Sequence, residues 1–192
     1  DPAALFNGAD QYASVPYNAA FNPSDSFTVG FWANKTGTDN SGTKGAIFSR
    51  DPADSGQNGW LFFASNGDGN WWFRTYTGNT RANAISSSPI VFNQWTYVVG
   101  VHEATDTGTN YLYVNGVLAA SPVGNAGYTP NASFPMFFGA WADTSASASP
   151  MCLTRRARAS CPRKVTVTVP ARPPPASRAS AISRWISAVS GG

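Results

Sequence analysis

A pair of alternating strands between residues 93 and 121 constrains the fold of this chain more than any other feature. Successive side chains of a strand point to opposite faces of a sheet, so residues that alternate in character predict extended structure. Two such runs, Trp95 to Glu103 and Asn110 to Ala119, flank the polar loop Ala104 to Thr109. Asn115-Gly116 then lies between apolar residues, as in a two-residue turn that needs positive φ. The segment therefore predicts an antiparallel hairpin.

Residues 1–150 repeat this pattern in short runs separated by Gly, Asn and Asp. Aromatic residues make up 14% of the chain and charged residues only 12%, a composition typical of many strands and turns. The further predicted strands are Ala3 to Phe6, Tyr12 to Val15, Ser26 to Asn34, Ala46 to Ser49, Trp60 to Ala64, Trp71 to Tyr76 and Phe134 to Trp141. Their spacing predicts an all-β fold of two packed antiparallel sheets, a β-sandwich.

The apolar positions of the longest runs predict a core between the two sheets. The residues expected to be buried are Phe27, Val29, Phe31, Val99, Val101, Leu112 and Val114. Trp71, Phe73 and Trp95 are also interpreted as core aromatics rather than as ligand platforms.

Charge is distributed unevenly along the chain. Residues 1–150 contain five Lys or Arg and ten Asp or Glu, a net charge of −5, whereas residues 151–192 contain eight Lys or Arg and no acid. The basic character therefore belongs to the last segment, and the body offers no basic face for nucleic acid. No run of 18 apolar residues exists, so the sequence predicts no membrane partner.

Residues 151–192 form an anomalous tail rich in Arg, Pro, Ala and Ser. A frameshift or coding error is the favoured interpretation because the change is abrupt, and a disordered linker is the second. Alternatively the tail folds, since Lys164 to Val169 alternates like a strand. Ile182, Trp185, Ile186 and Val189 would give a helical stripe. Cys152 and Cys161 could close a small loop, or mean nothing if the tail is an artefact.

Five segments of the body occur in an order that resembles the laminin G-like branch of the concanavalin A-like jelly rolls. They are ALFNGADQYASVP, FNPSDSFTVGFWANKTG, GAIFSR with GWLFFAS, WTYVVGVHEA with YLYVNGVL, and FPMFFGAWAD. Each is weak alone, but their common order is more specific than any short motif. The resemblance implies a jelly-roll domain over residues 1–150. The acidic final strand that is usual in this family has no counterpart after Pro150.

The resemblance also implies a function and a location. Many such domains bind a polysaccharide or glycan, so we expect an extracellular, non-catalytic carbohydrate-binding module within a larger multidomain protein. Related domains often hold a structural Ca²⁺ near the first motif, where Asn7, Gly8 and Asp10 could supply oxygen ligands. The same residues are also typical of an ordinary turn.

The sequence supports catalysis less well than carbohydrate binding. A glycosidase normally needs two carboxylates flanking the scissile bond, and Glu103 is the single glutamate of the chain. With Glu103 as acid and His102 as base, a polysaccharide-degrading enzyme would also use Arg74 and Tyr76. A solvated loop glutamate and a structural strand histidine are the simpler interpretations. A protein-adhesion module is a third possibility.

The segment NWWFRTY provides the best candidate binding row. If it is one strand, Trp72, Arg74 and Tyr76 share one face, while Trp71, Phe73 and Thr75 share the other. Sugar rings present an apolar C–H face edged by hydroxyls, which suits an aromatic ring beside a planar hydrogen-bonding group. Trp141, Tyr128 and Trp60 could extend this row.

Overall fold

A computed structural model describes residues 3–6, 11–36, 44–51, 57–105, 108–124 and 127–139, together with the backbone of 165–167 and 188–190. The contacts between Cα atoms divide the chain into two compact units. The larger unit spans Phe6–Ser147, and the smaller one combines Asp1–Leu5 with Ala148–Gly192.

Within the described residues, the larger unit contains eleven strands and a single turn of 3-10 helix at Ala19–Phe21. The strands are β1 (Ala13–Val15), β2 (Phe27–Asn34), β3 (Lys44–Arg50), β4 (Gly59–Ala64), β5 (Asn70–Thr77), β6 (Thr80–Pro89), β7 (Trp95–Glu103), β8 (Thr109–Val114), β9 (Val117–Leu118), β10 (Val123–Gly124) and β11 (Met136–Phe138). A six-stranded sheet has the order β1-β11-β3-β4-β5-β6, and a five-stranded sheet has the order β10-β8-β7-β2 with β9 beside β8. All their pairings are antiparallel, so the predicted all-β sandwich is confirmed.

Aromatic rings from both sheets fill the space between them. Phe62 of β4 stacks on Phe73 of β5, with ring centroids 4.6 Å apart. From the facing sheet, Phe31 meets Phe62 edge-on at 5.1 Å, and Phe27 meets Phe73 edge-on at 6.3 Å. Each fully buried ring contributes about 1.5–3 kcal/mol of transfer free energy, so this cluster holds the two sheets together.

The face assignment predicted for β7 is wrong. Val98 is fully buried and faces the core, whereas Val99 and Val101 lie on the opposite face of the strand and are only partly buried. The prediction for Leu112 is confirmed, since that side chain is fully buried, and Val114 is half-buried. The apolar pattern predicted the wrong buried face because the outward residues of β7 are more apolar than the inward ones.

Gly100 explains why the inward face of β7 can be poor in apolar side chains. A Cβ atom at Gly100 would lie 2.4 Å from Phe62 Cζ and 2.7 Å from Phe73 Cγ. The stacked rings from the other sheet already occupy the space that a side chain would fill. Close packing therefore requires glycine at position 100, and the pattern of apolar residues in the sequence does not predict this requirement.

The structure also differs from the sequence prediction in the bounds of some strands, in the burial of Trp95 and in two further strands. Ala3 to Phe6 contains no strand, and the strand predicted for Phe134 to Trp141 covers only β11 among its described residues. Trp95 is 50% exposed, so its interpretation as a core residue is wrong. β6 and β10 were not anticipated, since β6 buries only small residues (Ala82, Ala84 and Ser86) that give little hydrophobic signal.

The described backbone of the smaller unit consists of two short strands. β12 (Val165–Val167) pairs antiparallel with β13 (Ala188–Ser190). β12 lies inside the run Lys164 to Val169 that alternates in sequence. Val189 belongs to β13, so its placement in a helical stripe is wrong.

Candidate functional site

Phe63, Trp72, Arg74 and Tyr76 lie on the outer face of the six-stranded sheet, and we refer to this group as the Arg74 face. In the ladder between β4 and β5, Phe63 is opposite Trp72, and Leu61 is opposite Arg74. Phe73, between them in sequence, faces the core. The twofold periodicity of β5 therefore brings Trp72, Arg74 and Tyr76 together.

The guanidinium group of Arg74 is surrounded by aromatic rings. Its central carbon lies 5.0 Å from the ring centroid of Phe63, 5.5 Å from that of Trp72 and 5.7 Å from that of Tyr76. Nη1 donates to the Tyr76 hydroxyl at 3.2 Å, and Nε donates to Oδ1 of Asn83 on β6. An arginine has five N–H donors, so three of them meet no acceptor among the described residues.

Trp72 is half-buried and held at its edge. The indole N–H donates to both carboxylate oxygens of Asp68, at 3.1 and 3.3 Å, and the ring packs against Phe63 at 5.2 Å. Asp68 lies in the turn before β5 and accepts the backbone N–H of Asn70 at 3.0 Å. These contacts fix the orientation of the indole before any ligand arrives.

Tyr76 does not present an exposed aromatic ring to a sugar, as the predicted binding row required. Its ring is only 2% exposed and lies near two guanidinium groups, with the central carbon of Arg50 at 5.5 Å and that of Arg74 at 5.7 Å from the ring centroid. It belongs to a buried cluster with Phe48, Leu61 and Phe63. Tyr76 therefore positions Arg74, and the ring itself does not offer a face to a ligand.

The residues proposed to extend the row lie elsewhere or outside the described residues. The Tyr128 ring packs on Phe27 at 5.0 Å and His102 at 5.2 Å, and burial, with a smaller contribution from Tyr17, raises its pKa. Trp60 is buried, and its indole N–H donates to the Phe21 carbonyl at 3.2 Å. Trp141 lies outside the described residues.

His102 is part of a buried polar network that joins the sheets. It is 3% exposed, and Nδ1 lies 2.9 Å from Oδ1 of Asn110. The Asn110 amide nitrogen donates to Thr75 Oγ1 at 2.9 Å and to the Ala82 carbonyl at 3.3 Å. Oδ1 must then accept from His102, which assigns the proton to Nδ1. The structure thus places the His102 imidazole between the sheets, within this network.

Glu103 lies on the other face of β7 from His102. It is exposed, and the Tyr111 hydroxyl donates to its carboxylate at 3.2 Å. Burial, followed by the charge of Glu103, raises the pKa of Tyr111. Glu103 is thus on the outer face of one sheet, His102 is between the sheets, and Arg74 is on the outer face of the other. These residues do not form one active site.

The expected calcium ligands, Asn7, Gly8 and Asp10, lie outside the described residues. Within the part of the chain that the structure describes, no group of three or more His, Cys, Asp or Glu could hold a metal ion. Calcium binding at those three positions stays a prediction. None of the described helices has the length and apolar character needed to cross a membrane.

A second aromatic surface, on the outer face of the five-stranded sheet, was not anticipated as a site. It consists of Trp32, Tyr97, Val99, Tyr113 and Leu118, and we refer to it as the Trp32 face. Trp32 is 59% exposed, and its ring centroid lies 5.2 Å from that of Tyr97. A Cβ atom at Gly30 would lie 2.7 Å from the Tyr97 hydroxyl, so this glycine lets Tyr97 lie across β2. The outward valines of β7 are the available sequence signal for this surface, although their apolar character predicts burial in the core.

The chain belongs to the concanavalin A-like lectin/glucanase superfamily. A model of its laminin G-type family matches residues 7–149, which include every described strand of the two sandwich sheets, β1 to β11. The superfamily comprises both lectins and glucanases, so membership alone does not separate binding from hydrolysis. A search of curated proteins found no match to this chain.

Proposed function

We propose that this domain is a non-catalytic carbohydrate-binding module that binds a polysaccharide or glycan on its Arg74 face. The observation that carries the proposal is the partly buried Trp72 beside an Arg74 guanidinium whose position is fixed by Tyr76 and Asn83. An aromatic ring next to a planar donor matches the C–H face and the ring hydroxyls of a pyranose.

Preorganisation supports this proposal. Asp68 fixes Trp72, and Asn83 with Tyr76 fixes Arg74, so little side-chain entropy is lost when a sugar binds. The three remaining N–H donors of Arg74 can hydrogen-bond to sugar hydroxyls. Stacking on a single, partly buried ring gives weak binding, and we expect Kd values from micromolar to millimolar, roughly −8 to −4 kcal/mol.

Among the described residues, the placement of Asp68 and Glu103 favours binding over hydrolysis. Hydrolysis of the usual kind needs two carboxyl groups on either side of one glycosidic bond. Asp68, beside the Arg74 face, accepts the indole N–H of Trp72 with both oxygens, and Glu103 lies on the outer face of the other sheet. Polysaccharide degradation is therefore the less supported alternative.

The decisive test is the change Trp72→Ala, measured by calorimetry or affinity electrophoresis against β-glucans, galactans and alginates. We expect Trp72→Ala to remove most of the affinity without unfolding the domain, because stacking on the indole is lost. Arg74→Lys keeps the charge but loses the planar fork, and it should weaken binding as well. Trp32→Ala, at an exposed indole of the other sheet, is the matched control and should bind like the wild type.

Two outcomes would contradict the proposal. If the wild type binds a glycan and Trp72→Ala binds it equally well at equal folded fraction, the Arg74 face is not the site. If the wild type binds none of the polysaccharides, an adhesion function replaces the lectin function. An extracellular location within a larger protein accompanies the proposed function, and secretion of the native gene product from its host tests it.

Adhesion to another protein is the second candidate, and the Trp32 face favours it. Trp32 and Leu118 are 59% and 45% exposed on one continuous apolar surface. Contiguous exposed apolar patches often mark protein contacts. A protein ligand whose binding is lost in Trp32→Ala and retained in Trp72→Ala would support this function.

A further inference from the structure

All three arginines of residues 1–150 lie on the outer face of the six-stranded sheet. Arg81 on β6 is directly opposite Tyr76 on β5, and Arg74 is opposite Asn83, so both arginines share the face of the Tyr76 ring. The guanidinium carbon of Arg50 on β3 lies 5.5 Å from the centroid of that ring. Positive charge is therefore concentrated at the Arg74 face, although residues 1–150 have a net charge of −5.

Arg74 and Arg81 are the two members of this group that a ligand can reach. Arg81 is exposed, and its guanidinium makes no hydrogen bond or ion pair among the described residues. Arg74 is half-buried, and its Nη2 makes no hydrogen bond among those residues but keeps solvent-accessible surface. Neither guanidinium lies within ion-pair distance of a carboxylate in the described part of the chain. Arg50, which is 3% exposed, is too deeply buried to contact a ligand.

The half-buried position of Arg74 favours a negatively charged ligand group. A guanidinium that is partly removed from water loses hydration, and the described acceptors that replace this water, Tyr76 and Asn83, are both neutral. Hydrogen bonds from a guanidinium to a carboxylate are roughly twice as strong as those between neutral groups, and they can be bidentate. The remaining N–H groups of Nη1 and Nη2 therefore suit the two oxygens of a planar carboxylate.

Asp68 gives the surface opposite charges at its two ends. Its carboxylate accepts the indole N–H of Trp72, so negative charge lies beside the indole, while positive charge lies at Arg74 and Arg81. A chain with sulfate on most rings would be repelled at the Asp68 end. The guanidinium carbon of Arg74 lies 5.5 Å from the indole centroid, so one sugar ring can stack on Trp72 and direct a carboxylate to Arg74.

We propose that the Arg74 face selects a polysaccharide that contains uronic acid, with the carboxylate of the stacked ring on Arg74 and that of a neighbouring ring near Arg81. This selectivity rests on the proposed function and specifies the class of glycan for the same surface. An uncharged glycan can stack on Trp72, but it offers Arg74 only neutral acceptors. We therefore expect a uronate polymer to bind at least about tenfold more tightly than an uncharged polymer with the same linkages.

The test compares polygalacturonate with its own carboxyl-reduced form, which keeps the linkages and loses the charge. Calorimetry on the wild-type domain should give the tenfold preference, and methyl-esterified polygalacturonate should bind like the reduced form. A sulfated galactan, the other source of anionic oxygens, should bind more weakly than polygalacturonate. Raising NaCl from about 50 to about 500 mM should weaken polygalacturonate binding at least about threefold and leave the reduced form unchanged.

Two variants assign the preference to Arg74. Arg74→Gln keeps a planar N–H donor but removes the charge, so polygalacturonate should bind it no more tightly than the reduced form does. Lys35→Gln, next to β2 of the other sheet, removes the same charge from the domain and is the matched control. The tenfold preference should survive in Lys35→Gln. The comparison of polymers on the wild type stands even if Arg74→Gln does not fold.

Three results would overturn this selectivity: equal affinity of the wild type for polygalacturonate and its reduced form, tighter binding of the sulfated galactan, or an equal loss of preference in Arg74→Gln and Lys35→Gln. Neutral polymers whose binding is lost in Trp72→Ala, without any gain from a carboxylate, would refute the selectivity and leave the proposed function intact. A wild type that binds neither charged nor neutral polymers would refute both.

Discussion

At the scale of single residues, the buried Asn110 connects the two sheets through side-chain hydrogen bonds. It is fully buried and joins His102 on β7 to Thr75 and Ala82 on the opposite sheet. A buried network in which every member has a partner specifies one arrangement of the sheets. His102, the candidate catalytic base, is therefore part of the hydrogen-bond network that joins the two sheets.

Asn110→Ala should destabilise the domain by at least about 1–3 kcal/mol, because His102, Thr75 and the Ala82 carbonyl lose their common partner inside the protein. Chemical denaturation monitored by tryptophan fluorescence measures the change. Asn79→Ala, in the exposed β5–β6 turn, is the matched control and should stay within about 0.5 kcal/mol of the wild type. Equal stabilities for the two variants would show that the network contributes nothing.

Tyr128 predicts how stability depends on pH. Its buried hydroxyl has no acceptor among the described residues, and burial raises its pKa above the ordinary value of 10.0. Above pH 10 the unfolded chain loses this proton while the folded domain retains it, so the free energy of unfolding falls as pH rises. Tyr128→Phe should abolish this part of the alkaline loss and leave stability at pH 7 unchanged or slightly higher.

Melting curves between pH 7 and about 11.5 measure this effect. The stability difference between Tyr128→Phe and the wild type should grow in favour of the variant above pH 10. Parallel profiles over the whole range would mean that the hydroxyl ionises as easily in the folded domain as in the unfolded chain.

The site residues show which features the sequence could predict. Alternation along β5 was sufficient to group Trp72 with Arg74 and Tyr76, because side-chain direction follows from strand geometry alone. The burial of Tyr76 was not predictable, since it depends on Arg50 from β3, a strand brought alongside only by the fold. For the same reason the sequence could not predict that the Tyr128 ring packs on Phe27 and His102 in the core.

At the scale of elements, β2 and β7 show when hydrophobic alternation succeeds and when it fails. In β2 the apolar residues Phe27, Val29 and Phe31 face the core as predicted, although only Val29 is buried and the two phenylalanines are half-buried. In β7 the valines at 99 and 101 face outward because the inward positions are matched to rings and polar partners from other strands. Alternation in the sequence therefore predicts where a strand occurs, whereas packing against the other sheet determines which face of the strand is buried.

Gly100→Ala should destabilise the domain by about 1–3 kcal/mol, since the added methyl group would overlap the Phe62 and Phe73 rings. Gly124→Ala, in β10, is the matched control, because no atom lies within 4 Å of the added Cβ there. Thermal unfolding of both variants checks the prediction. A tolerated alanine at position 100 would mean that the stacked pair can move aside at little cost.

At the scale of the whole molecule, the larger unit presents two aromatic surfaces on opposite sides of one core. The Arg74 face is rigid and rich in hydrogen-bond donors, whereas the Trp32 face is exposed and mostly apolar. The first suits a hydroxylated ligand, and the second suits another apolar surface. With the two surfaces separated, the domain would be able to bind a glycan on the Arg74 face while a protein partner covers the Trp32 face.

The double variant Trp32→Ala/Trp72→Ala tests whether the two faces act independently. Substitutions that share no partners and lie more than about 7–10 Å apart usually add within about 0.5 kcal/mol. We therefore expect its loss of unfolding free energy to equal the sum of the two single losses, and its glycan affinity to equal that of Trp72→Ala. Denaturation curves and calorimetry on all four proteins measure both quantities. A coupling energy above about 1 kcal/mol, or a further loss of glycan affinity in the double variant, would show that the core transmits changes from one face to the other.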